Sequence, residues 1–161
     1  MALWIAVLLL FPVDQAVRID VSDSRVRGGL EAAVSGARAR LMRPGCARVL
    51  GDFRDAEGRT LVEKLEAIEQ SAGDYLINRV WFVSGDETTL CRRERTVPAF
   101  TVPGHQVVRV CSAPFAALAS RQPVAAELVI IHEMLHALGL GENPPSSREI
   151  TRQVTKRCGG S

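Results

Sequence analysis

The chain has 161 residues, of which 47% are hydrophobic, 24% are charged and 5% are aromatic, and its formal net charge at pH 7 is +2. A chain of this length can build one domain around a single core and is short for two. Three features argue against nucleic-acid binding: the small net charge, the interruption of the basic run over residues 92–95 by Glu94, and the presence of a single tyrosine. We therefore expect no nucleic-acid partner. We also expect a monomeric domain.

The N-terminal residues have the composition of an export signal. Residues 3–11 form a continuous apolar run, which matches the core of a signal peptide and is far shorter than the roughly 20 residues that span a bilayer. No Lys or Arg precedes the run, and a buried N-terminal strand or helix and a retained anchor are the alternatives. We predict a signal peptide over residues 1–16, cleavage after Ala16, and a secreted or periplasmic domain over residues 17–161 with no stable membrane span.

The first elements predicted in the mature chain are a strand and a long helix. Residues 17–21 alternate apolar and polar side chains, which is typical of a strand. The helix is capped by Ser22 or Ser24, runs to about Met42 and ends at Pro44-Gly45. Its predicted inward residues are Val26, Leu30, Ala33, Ala37 and Leu41, and its predicted outward residues are Arg25, Arg27, Arg38 and Arg40.

Four further elements follow before the C-terminal third of the chain. They are a strand over residues 47–50, a helix over residues 60–71 with Leu61, Leu65 and Ile68 inward, a buried strand over residues 79–83, and a hairpin with arms over residues 98–102 and 106–111. Gly73-Asp74 is predicted to close the helix, and Pro103-Gly104-His105 to join the two arms of the hairpin.

A helix late in the chain carries ionisable side chains in an apolar setting. It contains the sequence His132-Glu133-Met134-Leu135-His136. Apolar residues recur on one face at Val124, Leu128, Ile131, Leu135 and Leu138, and on a second face at Ile130 and Met134. Such a helix is buried, and buried His and Glu are costly unless something satisfies them. Histidines four positions apart lie on one face and can both reach one metal ion at about 2.0–2.1 Å, whereas the alternative is a core helix whose histidines bond to the backbone.

A catalytic zinc site needs a third protein ligand and leaves its fourth position to water. Gly139 can end the helix in the left-handed conformation, which brings Glu142 back to the metal. Glu149 fits a capping box with Ser146, and His105 lies far upstream in an apparent turn, so these two residues remain the alternatives. The predicted metal ligands are His132, His136 and Glu142.

The segment from His132 to Gly141, with the sequence HEMLHALGLG, resembles the zinc-binding helix and following turn of the metzincin branch of the zincin metallopeptidases. That family has the pattern HExxHxxGxxH. Here Glu142 takes the place of the third histidine, as a carboxylate does in the similar snapalysin-type peptidases, and no methionine follows Met134. The resemblance implies that Zn²⁺ is held by His132, His136 and Glu142, with Glu133 as general base.

The order of elements and this resemblance predict the fold class. We expect an α+β, zincin-like fold: a compact single domain whose twisted mixed sheet packs on helices, with a buried metal-binding helix near the C-terminus. In zincins an edge strand above the metal binds the extended substrate backbone as an additional strand. The candidate for that edge strand is Gln106 to Cys111.

The predicted function is that of an exported zinc-dependent endopeptidase acting on a protein or peptide substrate. Glu133 would take a proton from the attacking water and return it to the leaving amine. One alternative is a zinc hydrolase acting on a non-peptide bond, and another is an exported zinc-binding protein without catalytic activity, which would have no need of Glu133. Tyr75, His105 and nearby arginines are open candidates for stabilising the oxyanion.

The four cysteines predict two disulfides, because an even number in a small exported domain usually means complete pairing. They are Cys46, Cys91, Cys111 and Cys158, and three pairings are possible. Ile150, Val154 and Cys158 share one face of the last predicted helix, which points Cys158 inward. A bridge at that position would tie the C-terminal helix to the body of the domain.

Overall fold

Four short strands form one mixed sheet in the computed structural model, which describes residues 17–160. The strands are β1 (Arg18–Asp20), β2 (Trp81–Ser84), β3 (Ala99–Thr101) and β4 (Val107–Val110). Their order across the sheet is β1-β2-β4-β3, with β1, β2 and β4 parallel and β3 antiparallel to β4. The predicted signal peptide over residues 1–16 lies outside the described residues.

Helices account for most of the remaining described chain. They are α1 (Ser24–Leu41), α2 (Pro44–Ala47), α3 (Leu61–Glu66), α4 (Ala72–Asn78), α5 (Thr89–Arg93), α6 (Ser112–Arg121), α7 (Pro123–Ala137) and α8 (Ser147–Cys158), with a 3-10 turn over Arg48–Gly51. The predicted α+β single domain is therefore confirmed. No helix within residues 17–160 is long and apolar enough to cross a bilayer.

The core lies between the sheet and α7. One face of the sheet is buried through Phe82 and Val108, and α7 contacts β3, β4, α1, α6 and α8. Ile130, Met134 and Leu135 on α7 are fully buried, which confirms the prediction of a buried helix. Of the predicted apolar stripe of α7, Ile131, Leu135 and Leu138 are buried, whereas Leu128 is partly buried and Val124 is exposed. Because α7 is enclosed on most sides, any polar residue on it needs a partner or a function.

The long helix α1 confirms its predicted inward face, since all five predicted residues are buried. Its cap differs from the prediction: Asp23, rather than Ser22 or Ser24, accepts hydrogen bonds from the amides of Arg25 and Val26. The prediction that Arg40 points outward was also wrong. Its guanidinium is mostly buried and pairs with Glu127 of α7, so a charged residue on the core side joins the two longest neighbouring helices.

Three predictions between α1 and the hairpin were wrong in their type or their bounds. Residues 47–50 belong to α2 and the 3-10 turn rather than to a strand, since Pro44 stands in the first turn of a helix, where its missing N–H costs nothing. The helix predicted over residues 60–71 ends at Glu66, which leaves Ile68 exposed rather than inward. Gly73-Asp74 does not close that helix but lies inside α4, because Ser71 caps a new helix by accepting from the Asp74 amide.

The second strand and the hairpin lie close to their predicted positions. β2 covers the end of the strand predicted over residues 79–83, with Phe82 buried and Trp81 exposed, so the strand is buried on one face only. β3 and β4 pair as the two arms of the predicted hairpin. The chain then forms α6, which was not predicted, before it enters α7.

Two disulfides join all four cysteines, as predicted. Cys46 bonds to Cys158 and Cys91 bonds to Cys111. The first ties the end of α8 to α2, and Cys158 is buried, which confirms the predicted inward direction. The second joins Cys91 of α5 to Cys111, the residue that follows β4. This bridge lies next to the cleft over His132 and His136.

Candidate metal centre

The helix α7 places two imidazole rings side by side. His132 and His136 are one helical turn apart and both are buried. Their Nε2 atoms lie 3.0 Å from each other, and the ring centroids are 4.9 Å apart. The two nitrogens that face each other therefore have room for one small ion in contact with both.

The turn after α7 brings a carboxylate to the two histidines. Gly139 has φ 107°, a left-handed conformation that favours glycine, and Leu140 then donates from its amide to the Leu135 carbonyl. This turn leads the chain back to Glu142, whose Oε1 lies 3.3 Å from His136 Nε2. One candidate ligand atom from each of His132, His136 and Glu142 lies within 4.8 Å of the other two. The three predicted ligands are thus brought together in a group that can hold a metal ion.

Hydrogen bonds at the far side of each ring set its orientation. The Nδ1 of His136 lies 2.7 Å from the Leu140 carbonyl oxygen, which can only accept, so the proton of this ring is on Nδ1. The Nδ1 of His132 lies 3.1 Å from the Thr151 hydroxyl. Burial, helped by the neighbouring His136, lowers the pKa of His132 to about 4, so its ring is neutral at pH 7, as a metal ligand must be. This arrangement fits a metal site, in which histidine donates from one nitrogen and ligates through the other.

Glu133 is the buried carboxylate beside this group. Its Oε2 has no hydrogen-bond partner within residues 17–160. Burial, together with the nearby Glu142 carboxylate, raises the pKa of Glu133 to about 7. The Thr101 hydroxyl opposes this rise, although neither its oxygen nor Glu133 Oε2 makes a hydrogen bond of good geometry. A buried polar atom without a hydrogen-bond partner lowers the free energy of unfolding by about 1–3 kcal/mol. The placement of Glu133 therefore does not serve the stability of the fold.

The two alternative ligands lie elsewhere. Glu149 caps α8: its Oε2 accepts from the Ser146 amide at 2.8 Å and from the Ser146 hydroxyl at 2.7 Å, which confirms the predicted capping box. His105 is an exposed residue of the β3–β4 turn. The Tyr75 hydroxyl donates to the buried Ala137 carbonyl at 3.1 Å and so supports the end of α7 instead of facing the cleft.

The candidate ligands His132, His136 and Glu142 form the metal group. A cleft of about 360 Å³ opens over it. His132, Glu133, His136 and Glu142 form its floor, and its walls include Leu90, Val97, Phe100, Thr101 and Pro103. The β3–β4 turn is fixed to the floor, since the Gly104 amide donates to the His136 carbonyl at 2.8 Å. The cleft therefore lies between α7 and the strand β3, with apolar residues on the strand side.

The strand beside the cleft is not the one that was predicted. Gln106 to Cys111 contains β4, which pairs with β2 on one side and β3 on the other and so lies inside the sheet. The edge is β3, and among residues 17–160 no strand pairs with its outer side. The physical reason is that the second arm of the hairpin pairs in parallel with the buried β2, which leaves the first arm outermost.

Sequence reasoning missed Thr101 and Thr151, whose hydroxyls face Glu133 and His132. Thr101 lies in the predicted hairpin and Thr151 follows the predicted capping box, but nothing in their sequence positions indicates which ring or carboxylate they meet. Comparisons with known protein families, with characterised proteins and with solved structures find no match for this chain. The resemblance to zincins therefore rests on the sequence of residues 132–142 alone.

The variant Gly139→Ala is expected to lower the free energy of unfolding by about 1–3 kcal/mol, because alanine is strained at this positive φ. Its Cβ would also come within 2.6 Å of Lys64 Nζ, a group held by an ion pair of 3.1 Å with Asp55. Gly141→Ala is the matched control, since nothing lies within 4 Å of its Cβ position. Urea unfolding of the two variants measures the difference, and equal midpoints would show that the turn does not depend on Gly139.

Proposed function

We propose that this protein is an exported zinc-dependent endopeptidase. The observation that carries the proposal is the convergence of His132, His136 and Glu142 at the floor of a cleft, beside Glu133, whose Oε2 has no hydrogen-bond partner within residues 17–160. Three protein ligands with an open position are typical of catalytic zinc sites, whereas structural zinc sites are usually closed by four. The two disulfides are consistent with a protein that works in an oxidising compartment.

Zinc is the metal that this set of donors favours. Two imidazole nitrogens and one carboxylate oxygen match the ligand set of well-known zinc hydrolases, and imidazole disfavours Mg²⁺ and Ca²⁺, which prefer oxygen. The Nδ1 partners of both histidines leave Nε2 free to ligate. His132, His136 and Glu142 would hold the ion.

A bound zinc ion supplies Lewis acidity, which polarises a substrate carbonyl and lowers the pKa of a water molecule to about 7. Glu133 would accept the proton of the attacking water, since its carboxylate lies beside the candidate ligands and its Oε2 has no hydrogen-bond partner within residues 17–160. As the carbon–nitrogen bond breaks, Glu133 returns that proton to the leaving amine. Water is thereby added across the peptide bond, and no covalent intermediate with the protein is required.

The edge strand β3 favours a peptide over other substrates. Its residues Ala99, Phe100 and Thr101 line the cleft beside Glu133, and an extended peptide can add to an unpaired strand edge by backbone hydrogen bonds. This orientation would place a peptide carbonyl over the metal group irrespective of its side chains. A hydrolase for a small non-peptide ester would gain nothing from a strand edge in this position.

A noncatalytic zinc protein is disfavoured by the burial of Glu133. A site that only stabilised the fold would have no use for a carboxylate whose Oε2 is buried without a partner among the described residues. A glutamine or an apolar residue there would avoid the cost of burying a charge.

Metal removal tests the proposal directly. The purified protein is expected to contain one zinc ion per chain and to cleave peptides of an unbiased library within their sequence. Dialysis against a chelator should abolish cleavage, and one equivalent of Zn²⁺ should restore it. Cleavage that persists in protein shown by metal analysis to be zinc-free would contradict the proposal, and so would zinc-loaded protein that cleaves no peptide.

A further inference from the structure

The two histidines of the metal group differ in what holds their rings. The ring of His136 is held by the Leu140 carbonyl, which belongs to the turn after the same helix. The ring of His132 is held by the hydroxyl of Thr151, which lies nineteen positions away on α8. A carbonyl oxygen can only accept a hydrogen bond, whereas a hydroxyl can accept or donate.

This difference matters because a histidine that ligates a metal through Nε2 carries its proton on Nδ1 and needs a partner there to accept it. His136 donates from Nδ1 to the Leu140 carbonyl, and its Nε2 faces His132 Nε2 at 3.0 Å and Glu142 Oε1 at 3.3 Å. With a metal ion bound, His132 would ligate through Nε2 and donate from Nδ1 to the Thr151 hydroxyl, which lies 3.1 Å away.

We propose that Thr151 is a positioning residue of the metal centre: its hydroxyl accepts a hydrogen bond from His132 Nδ1 and holds the ring with Nε2 towards the metal. The proposal rests on the proposed metal centre and adds a determinant of its affinity that lies outside the HExxH segment. Thr151 acts through His132 and does not itself bind the ion.

The position of Thr151 is fixed because α8 is anchored along its length. The capping box of Ser146 and Glu149 fixes its first turn. Ile150 and Val154 are buried on the side of the helix that faces the core. At its last turn Cys158 bonds to Cys46, and the guanidinium of Arg157 pairs with Asp52 at 2.7 Å. A hydroxyl on a helix held in this way can orient a ring on α7 without large motion of its own.

The surroundings of Thr151 limit what can replace its hydroxyl. A groove of about 160 Å³ runs beside it between α6, α7 and α8, and its lining includes Leu118, Leu128 and Val129. A water molecule there would find few polar partners besides His132. In Thr151→Val a methyl group takes the place of the hydroxyl and keeps water from reaching Nδ1. The same groove is lined by Thr155, one turn further along α8, which makes no hydrogen bond to His132.

The test is the affinity of the purified, metal-free protein for Zn²⁺ alone, measured by competition with a chelator of known affinity. Thr151→Val is expected to bind Zn²⁺ about 10–100-fold more weakly than the unsubstituted chain, the usual cost of removing the partner of a ligating histidine. Thr151→Ser, which keeps the hydroxyl, is expected to restore the affinity. Thr155→Val is the matched control, since it makes the same change in the same groove, and its affinity should be that of the unsubstituted chain.

Two outcomes would overturn the inference: Thr151→Val binding as tightly as the unsubstituted chain, or Thr151→Ser binding as weakly as Thr151→Val. Circular dichroism of each metal-free variant verifies that α8 is folded, so a loss of affinity is not a loss of structure. Failure of the proposed function can be distinguished from failure of the role proposed for Thr151. If the unsubstituted chain binds Zn²⁺ but cleaves no peptide, the peptidase proposal fails and the role of Thr151 is still decided by the affinities. If it binds no Zn²⁺, both proposals fail.

Discussion

Glu133→Gln is expected to lower kcat for hydrolysis of a general protein substrate such as casein by about 10²–10⁴-fold, the usual contribution of a positioned general base. The carboxamide has nearly the volume of the carboxylate but cannot accept the proton of the attacking water. The zinc content should stay at one ion per chain, because the three predicted ligands, His132, His136 and Glu142, are unchanged.

The fold of this variant should be intact or slightly more stable. Burial raises the pKa of Glu133 to about 7, which means that the protein disfavours its ionised form compared with water. A neutral glutamine at the same place does not carry that cost. The expected result is therefore a loss of activity without a loss of stability, a combination that distinguishes a catalytic residue from one that maintains the core.

Glu127→Gln supplies the matched control, since it is the same substitution on the same helix, away from the cleft. Glu127 pairs with the mostly buried guanidinium of Arg40, so this variant should lose stability while it keeps kcat. Urea unfolding and casein hydrolysis, measured on both variants, give the comparison. Full activity of Glu133→Gln in a preparation free of other proteases would contradict the assignment of the base.

The sequence predicts well those elements in which an apolar spacing is repeated over several turns. The inward face of α1 is correct because its eighteen residues contain five turns of the same apolar spacing. The closeness of the His132 and His136 rings is predicted because a spacing of four residues on a helix fixes their relative position whatever surrounds them. By contrast, the pattern of residues 47–50 is too short to distinguish a strand from a helical turn. These residues are helical because Pro44 begins a short helix just before them.

The parts that the sequence does not predict depend on contacts between distant segments. Whether β3 or β4 forms the edge of the sheet is decided by the pairing of β4 with β2, more than twenty residues upstream. The partner of His132 depends on how α8 packs against α7, and the burial of Arg40 depends on Glu127 across the helix interface. No local sequence period carries this information, so the sequence suggests the candidate ligands but not the residues that contact them from distant segments.

The second large effect is expected at the third ligand. Glu142→Ala should weaken Zn²⁺ binding by more than about 100-fold, since removing a direct ligand costs more than the 10–100-fold lost with a residue that only orients one. The stability of the metal-free protein should hardly change. The Glu142 side chain is 42% exposed, and its contact in the fold is the 3.3 Å approach to His136.

Glu149→Ala should show the reverse pattern. Glu149 accepts hydrogen bonds from the Ser146 amide and hydroxyl and so completes the cap of α8. Its loss is expected to lower the free energy of unfolding by about 0.5–2 kcal/mol, within the range for helix caps. Zn²⁺ affinity should change far less than in Glu142→Ala, because the carboxylate of Glu149 is turned towards Ser146 instead of the histidines.

The two variants together identify the third ligand, because each is the control for the other. Both remove one exposed carboxylate from the fifteen residues that follow His136, so a general electrostatic effect on a cation would appear in both. Zn²⁺ affinity from chelator competition and unfolding midpoints in urea separate ligation from capping. An equal loss of Zn²⁺ affinity in both variants would contradict Glu142 as the ligand. A loss confined to Glu142→Ala would identify Glu142 as the third ligand, which the left-handed turn at Gly139 brings to the metal.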